Sequence, residues 1–281
     1  MVIDFHTHAF PDAIAQKTVD FLKGNSKTTP FTNGTVTDLA EKATAAGVNL
    51  SVILPVVTNP LSTHKINLFA ASVNENTEKT GVFSFGGIHP ETPDYKTAIN
   101  EIRDLGLKGI KIHPAYHKTQ IDDIKYMRII SYAEEQGLIT VSHGGLDIGV
   151  DGDWCNPKRT AKLIDEVKPT RLVMAHLGGW EQWREVKDYL CGKNVYLDTA
   201  FCCVDFSYQD GVLNENKRPV LCAEDFMGLV KAHGTDKILF GTDSPWGEQK
   251  TQLNFIRSLP LNDGEKADIL GLNAAKLLNL K

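Results

Sequence analysis

The sequence lacks the features that mark membrane proteins and nucleic-acid-binding proteins. No apolar run approaches the ~18 residues that a membrane-spanning helix requires, and no dense run of Lys and Arg occurs. The formal net charge is −5, which gives no electrostatic footprint for nucleic acid or an anionic membrane. The first residues show no basic leader segment. We therefore expect a cytoplasmic protein whose partners are small molecules, with no nucleic acid and no membrane among them.

Cysteine is scarce, and its pattern is not that of a disulfide scaffold or a metal cluster. The five cysteines include no CxxC pair, and their number is odd. These features indicate neither a disulfide framework nor a structural zinc cluster. Cys202 and Cys203 are adjacent, and neighbours on a strand point to opposite faces. We therefore expect two separate, small buried thiols rather than a converging pair.

Short β-branched and apolar runs recur along the chain, and stretches with helical periodicity lie between them. The eight runs are 2–5, 50–54, 82–85, 109–112, 138–142, 171–175, 194–197 and 238–241. The helix candidates include 39–46, 95–105, 124–136, 160–167 and 223–233, with closing helices at 263–280. The spacing widens after the first strand, at 24–34, and after the seventh, at 202–219.

This alternation predicts a parallel α/β protein. A nucleotide-binding open sheet would show a Gly-rich turn after its first strand, whereas His-Thr-His follows here. A (β/α)8 barrel commonly runs to ~250 residues as one unit, and no linker divides the 281 residues. We therefore expect one TIM-barrel domain over 1–281, with both insertions on the face that carries active sites.

Polar residues with metal-binding chemistry end several of these strands. His6 and His8 end the first strand, where alternate side chains share a face. His143 ends the fifth strand, His176 the sixth and Asp243 the eighth. Each by itself could be a hydrogen-bonded polar residue of the barrel. Because the carboxyl ends of barrel strands open onto one face, we expect all five to meet there.

Imidazole nitrogen and carboxylate oxygen suit zinc, manganese, iron or cobalt, and zinc is the first choice. We expect one divalent ion per chain. A zinc-bound water has its pKa lowered to ~7, and a carboxylate beside it can take and return protons.

Four motifs together resemble the amidohydrolase superfamily, and specifically its amidohydrolase-2 group, related to aminocarboxymuconate semialdehyde decarboxylase. They are Asp4-Phe-His-Thr-His8, Lys108-Gly-Ile-Lys-Ile-His-Pro114, Ala175-His-Leu-Gly-Gly179 and Phe240-Gly-Thr-Asp-Ser-Pro-Trp246. The resemblance covers essentially the whole chain. It implies a distorted TIM barrel whose metal is held by His6, His8, His143 and Asp243. It also implies that His176 is the neighbouring acid/base or substrate-polarising group.

The resemblance leaves several reactions open, since fold and ligands do not fix the substrate. The leading expectation is a metal-dependent hydrolase of a small polar substrate, cyclic or acylated, with His176 polarising the bond and Asp243 moving the proton. The alternative is a metal-dependent non-oxidative decarboxylase of a small unsaturated or aromatic acid. A non-catalytic ligand-binding barrel is disfavoured, because no ligand or acid/base group is missing.

Four further residues are candidates for substrate binding. Lys111 and His113 alternate inward on the fourth strand, so His113 would face the substrate. Lys111 would either be carbamylated and bridge a second metal or, as we favour, pair with an interior carboxylate such as Asp4. His89 could line the rim after the third strand or be an ordinary loop residue. Trp154 could form a wall of the pocket or anchor a surface loop.

The remaining polar candidates have simpler expectations. His117 could reach the mouth of the barrel from the loop after His113 or, as we favour, be a solvated loop residue. His64 and His233 are expected to be ordinary helix-end residues. Lys217 and Arg218, in the second insertion, would meet a substrate carboxylate or serve solubility. The oligomeric state stays open, a homodimer being one option.

Overall fold

Parallel strands and helices alternate along the chain in the computed structural model, which describes residues 1–203 and 221–280. Every strand pairing in these ranges is parallel. The strands are β1 (Ile3–Thr7), β2 (Leu50–Ile53), β3 (Val82–Ser84), β4 (Gly86–Gly87), β5 (Gly109–Ile112), β6 (Ile139–Ser142), β7 (Leu172–Met174), β8 (Tyr196–Asp198) and β9 (Ile238–Leu239).

The helices lie mainly between successive strands. They are α1 (Asp12–Ser26), α2 (Val36–Ala46), α3 (Thr63–Asn74), α4 (Thr77–Thr80), α5 (Tyr95–Asp104), α6 (Pro114–His117), α7 (Ile124–Glu135), α8 (Pro157–Val167), α9 (Trp183–Tyr189), α10 (Ala223–His233), α11 (Gln249–Ser258), α12 (Asp263–Ala267) and α13 (Asn273–Leu277). A π-helical turn, Asp268–Leu272, joins the last two. None of the helices in the described ranges has the length and apolar composition needed to cross a membrane.

The strands form a ring. One sheet has the order β1-β2-β3, and the other runs from β4 to β9 in sequence order. Phe85 alone separates β3 from β4, so these two segments make up the third barrel strand. At the other end, Phe5 N donates to Phe240 O and Asp243 N donates to His6 O, both at 2.8 Å. These bonds join the last strand to the first, and the predicted TIM-barrel fold is confirmed.

Two of the predicted strands end earlier than the observed strands, because each observed strand continues into polar residues. β1 extends to Thr7, whose hydroxyl donates to Val52 O at 2.8 Å. β8 extends to Asp198, beyond the predicted end at 197. Both side chains are completely buried, because neighbouring groups in the barrel satisfy their hydrogen bonds. Polarity therefore does not mark the end of these strands.

The first strand also departs from simple alternation. Its register with β2 shifts between Asp4 and Thr7. Phe5 packs in one apolar cluster with Val141 and Leu239 from distant strands of the ring, so it faces the barrel interior. This cluster fills the part of the barrel below the histidines. The expectation that Asp4 is an interior carboxylate of the barrel is therefore wrong.

Candidate metal centre

Three of the predicted ligands converge at the carboxyl ends of β1 and β9. His6 Nε2 lies 3.2 Å from His8 Nε2. Asp243 Oδ1 lies 3.0 Å from His8 Nε2 and 3.4 Å from His6 Nε2. Two atoms that each bond a tetrahedral zinc ion at ~2.0–2.1 Å are about 3.3 Å apart. The spacing of the three atoms therefore fits one bound ion.

The hydrogen bonds on the far side of each ring fix which nitrogen faces this point. His8 Nδ1 donates to Leu54 O at 2.9 Å, because a carbonyl can only accept. His6 Nδ1 donates to Asp198 Oδ2 at 2.9 Å. Each ring therefore presents the lone pair of Nε2 to the other. Two such lone pairs beside a carboxylate oxygen form a donor set that fits a divalent metal ion.

Asp243 has an unusual backbone conformation, and its carboxylate is ionised. Its φ is +62°, a left-handed value that non-glycine residues adopt at a cost and that is often found at functional sites. Burial by itself would raise the pKa of Asp243, but contacts with His8 and His6 outweigh it and hold the pKa below its ordinary value. The carboxylate is therefore ionised at neutral pH, as a metal ligand must be.

Lys111 contacts the same group of ligands. Its side chain is 1% exposed, and its Nζ lies 3.2 Å from His6 Nε2. Burial lowers the pKa of Lys111 to about 8, while Asp198 and Asp243 oppose this change. The ammonium form therefore predominates at neutral pH. The site combines a metal-binding cluster with a buried positive charge.

The predicted pairing of Lys111 with Asp4 is wrong. Asp4 accepts hydrogen bonds from Thr242 Oγ1 at 2.6 Å and from Gln249 Nε2 at 2.8 Å. Thr242 follows β9 and Gln249 begins α11, so Asp4 points away from the barrel axis. Burial raises the pKa of Asp4 to about 7 in spite of these bonds.

His176 and His143 lie together beside the ligand cluster. His176 Nε2 is 3.1 Å from His143 Nδ1, and the rings of His176 and His6 are 5.4 Å apart. The outer nitrogens donate to backbone carbonyls, His176 Nδ1 to Ala200 O and His143 Nε2 to Leu146 O, both at 2.8 Å. Burial, followed by the neighbouring His143, lowers the pKa of His176 to about 3.

His143 is not grouped with the other predicted ligands. The cluster of close ligand atoms contains His6, His8 and Asp243, while His143 falls in a second group with His113 and Asp147. The metal-ligand role of His143 therefore stays a prediction. The acid/base role of His176 also stays a prediction.

His113 continues the wall of histidines away from the ligand cluster. Its ring stacks on that of His143 with centroids 4.2 Å apart and an interplanar angle of 18°. The Tyr116 ring lies 4.3 Å from it. Burial lowers the pKa of His113 well below its ordinary value, and the neighbouring His143 adds to this effect. The predicted inward orientation of His113 therefore brings it into the site.

His89 and His117 form a separate pair. Their ring centroids are 4.4 Å apart, and His89 Nδ1 accepts from Glu91 N at 3.0 Å. His117 is buried, accepting from the Tyr126 hydroxyl at 2.6 Å and donating to Val57 O at 2.8 Å. The expectation of a solvated His117 is wrong, because α6 turns the ring inward. In the described structure, neither ring contacts the ligand cluster, and substrate binding by His89 stays a prediction.

Trp154 and the two helix-end histidines lie away from the ligand cluster. The Trp154 indole donates to Asp151 O at 3.0 Å within its own loop, as an anchoring residue would. Its predicted place in the substrate pocket stays untested. His64 lies near the start of α3 and contacts Glu101, and His233, which ends α10, donates to Val195 O at 2.8 Å.

The adjacent cysteines differ from expectation. Both thiols are buried, but Cys202 Sγ and Cys203 Sγ lie 3.1 Å apart. The predicted divergence is wrong because these residues occupy a turn after β8, where the alternation of a strand does not apply. Lys217 and Arg218 lie outside the described residues.

Sequence reasoning missed two carboxylates of the site. Asp198 accepts from His6 Nδ1 and, at 3.0 Å each, from His176 N and Ala200 N. Asp198 ends β8, just as each predicted site residue ends its strand. The rule that polar residues at strand ends meet on one face could therefore have found Asp198 as well. Asp147 lies in the loop after β6, where no periodic signal exists.

Comparisons with known proteins show the family and the fold. The amidohydrolase family matches residues 3–280, while no curated protein matches the chain. An uncharacterised TIM-barrel protein from Bordetella bronchiseptica is similar in structure, with TM-score 0.73, 17% identity and coverage of 99% of this chain and 98% of that one. A 2,6-dihydroxybenzoate decarboxylase from Rhizobium has TM-score 0.69, 16% identity and coverage of 99% and 98%.

A third similar structure contains a metal ion. A dihydroxybenzoic acid decarboxylase from Polaromonas sp. JS666, with bound manganese and the inhibitor 2-nitroresorcinol, has TM-score 0.68, 14% identity and coverage of 99% and 97%. At these identities the structural similarities show the fold alone. The family match over residues 3–280 shows that the chain belongs to the amidohydrolase family of enzymes.

Proposed function

We propose that this chain is a metal-dependent enzyme that removes carbon dioxide from a small unsaturated or aromatic carboxylic acid. The observation that carries the proposal is the convergence of His6 Nε2, His8 Nε2 and Asp243 Oδ1 within 3.0–3.4 Å, beside the buried Lys111 ammonium. A metal ion next to the Lys111 ammonium would attract an anionic substrate. Several fold neighbours are decarboxylases of aromatic acids, which supports this reaction class.

One divalent ion per chain is part of the proposal. Zinc is the first choice for two imidazole nitrogens and a carboxylate, with manganese, iron and cobalt as alternatives. His6, His8 and Asp243 would hold it, and His143 would complete the set by turning its ring. When bound, the ion would stabilise negative charge on a substrate oxygen.

The chain's own groups would bind the substrate and supply the proton. Lys111 would bind an anionic oxygen, and the stacked rings of His113 and His143 would line the path of a flat substrate. His176 would carry the moving proton at Nε2, because its Nδ1 is bonded to Ala200 O. The proton would go to the carbon that bears the carboxylate. The bond to the carboxylate then breaks, carbon dioxide leaves, and the electron pair returns to the conjugated system.

Hydrolysis, which the sequence favoured, is the second candidate. It is supported by Asp243, whose ionised carboxylate lies 3.0 Å from His8 Nε2 and could take the proton of an attacking water. The reaction would then act on a small cyclic or acylated compound. The two candidates differ in product, since only the first releases carbon dioxide.

The test is a screen of the zinc-loaded and manganese-loaded protein against hydroxybenzoic acids, unsaturated diacids, lactones and amides. We expect carbon dioxide release matched to the loss of an acid. If the reaction is hydrolysis, Asp243→Asn should keep a measurable share of the metal and lose at least ~100-fold in turnover, since Asn cannot take the proton of the attacking water. Consumption of a lactone or amide without carbon dioxide would assign hydrolysis. Full metal occupancy without turnover of any compound would support the ligand-binding barrel.

A further inference from the structure

The loop after β6 holds a carboxylate in a fixed place beside the wall of histidines. Gly145 N donates to Cys155 O at 2.9 Å, and Leu146 N donates to Trp180 O at 3.1 Å. These bonds hold the two residues that immediately precede Asp147. The Asp147 side chain is 8% exposed. It is therefore a positioned, nearly buried group rather than a solvated loop charge.

One oxygen of this carboxylate lacks a hydrogen bond. Oδ1 accepts from Gly149 N at 2.8 Å. For Oδ2, the nearest charged or ring donor among the described residues is His113 Nε2 at 3.6 Å, which exceeds an ordinary hydrogen bond. Oδ2 can therefore accept a hydrogen bond from a group outside the chain.

The neighbouring ring defines what that group must be. His113 Nδ1 accepts from Tyr116 N at 3.4 Å, which leaves the ring proton on Nε2. A donor, His113 Nε2–H, and an acceptor, Asp147 Oδ2, therefore flank one gap. A hydroxyl can accept from the first and donate to the second. A carbonyl oxygen cannot donate to Asp147, and an ammonium cannot accept from His113.

A second metal ion fits this gap less well. Ligand atoms of His113, His143 and Asp147 lie within 4.8 Å of one another. However, His143 Nε2 donates to Leu146 O, and His143 Nδ1 faces His176 Nε2. The remaining lone pair of His143, on Nδ1, then points to His176 and not to Asp147, and the lone pair of His113 accepts from Tyr116 N. A hydrogen-bonding group of the substrate is the better occupant.

We propose that Asp147 and His113 form a recognition site for a hydroxyl group of the substrate, separate from the ion-binding cluster. The inference rests on the proposed function in taking the substrate to bind along this wall. The substrate would then be a hydroxylated acid, with its anionic end at Lys111 and its hydroxyl at Asp147. Burial raises the pKa of Tyr116, and Asp147 and Asp243 both add to the effect.

The test compares the binding of benzoate with that of 2-, 3- and 4-hydroxybenzoate to the zinc-loaded protein by calorimetry. A hydrogen bond from hydroxyl to a buried carboxylate predicts that one isomer binds about 10- to 100-fold more tightly than benzoate. Asp147→Asn should reduce this preference to less than about threefold. Its amide oxygen can still accept from Gly149 N, but its NH2 group would face His113 Nε2–H and could not accept the hydroxyl proton.

Asp151→Asn is the matched control, because Asp151 lies in the same loop and is exposed. It should keep the preference of the wild-type protein, and thermal melting should show that both variants are folded. Equal affinity for all four probes, including no measurable binding of any, would overturn the proposal. So would an unchanged preference in Asp147→Asn, or loss of one zinc equivalent from that variant, which would assign a metal site. Because the assay measures binding, absence of carbon dioxide release would count against the proposed reaction and not against the hydroxyl site.

Discussion

The role of Asp198 beneath His6 gives a sharp prediction for Asp198→Asn. Oδ1 accepts from two backbone groups, His176 N and Ala200 N, at 3.0 Å each. In the Asn variant these two donors keep the amide oxygen at that position. The amide NH2 then faces the Nδ1–H of His6, where a carboxylate oxygen accepts at 2.9 Å in the wild-type protein.

Two donors facing each other force a change in His6. Its proton moves from Nδ1 to Nε2, and the lone pair that faced His8 and Asp243 is lost. The outer partners of metal-ligating histidines typically contribute 10–100-fold to metal affinity, or about 1.4–2.7 kcal/mol. Because the whole tautomer changes, we expect zinc binding to weaken by at least ~100-fold, at the upper end of that range.

Competition between the protein and a chromophoric chelator measures the zinc affinity directly. Asp165→Asn is the control, since the Asp165 side chain is 64% exposed and pairs with Lys193 at the surface. It should bind zinc as the wild-type protein does. An Asp198→Asn protein that melts normally and binds zinc with unchanged affinity would refute the tautomer argument.

Three further predictions concern the ligand cluster and the loop beside it. His8→Ala should leave well under one equivalent of zinc after dialysis, measured by elemental analysis, because one of the converging donors is removed. His176→Asn should keep the metal and lose turnover, whereas His143→Asn should lose the metal; equal metal loss in both would remove the distinction between the two residues. Gly145→Ala should lower the free energy of unfolding in urea by at least ~2 kcal/mol, because a Cβ there would lie 2.2 Å from the backbone nitrogen of Trp180. Gly47→Ala, also at positive φ but with nothing within 4 Å, should cost only ~1 kcal/mol.

The fold could be predicted because barrel strands and helices leave strong periodic signals. The helix predicted at 223–233 coincides with α10 (Ala223–His233). The rule that polar residues at the ends of strands meet on one face brought His6, His8 and Asp243 together without knowledge of their distances. It holds because parallel strands all point their carboxyl ends the same way.

Other parts of the site depend on local geometry that the hydrophobic periodicity of the sequence does not reveal. The irregularity in β1 lies between Asp4 and Thr7, so Asp4 and His6 do not share a face, and a strict two-residue alternation cannot reveal it. Asp147 is positioned by loop hydrogen bonds between residues far apart in sequence. The turn after β8 likewise brings Cys202 and Cys203 together. In each case a local departure from regular structure decides where the side chain lies.

The most direct test of the account is anomalous diffraction from crystals of the zinc-loaded protein, recorded at the zinc absorption edge. The account predicts a single peak at about 2.0–2.2 Å from His6 Nε2, His8 Nε2 and an Asp243 carboxylate oxygen. A peak between His113 and Asp147 instead, or no peak at full zinc loading, would contradict it.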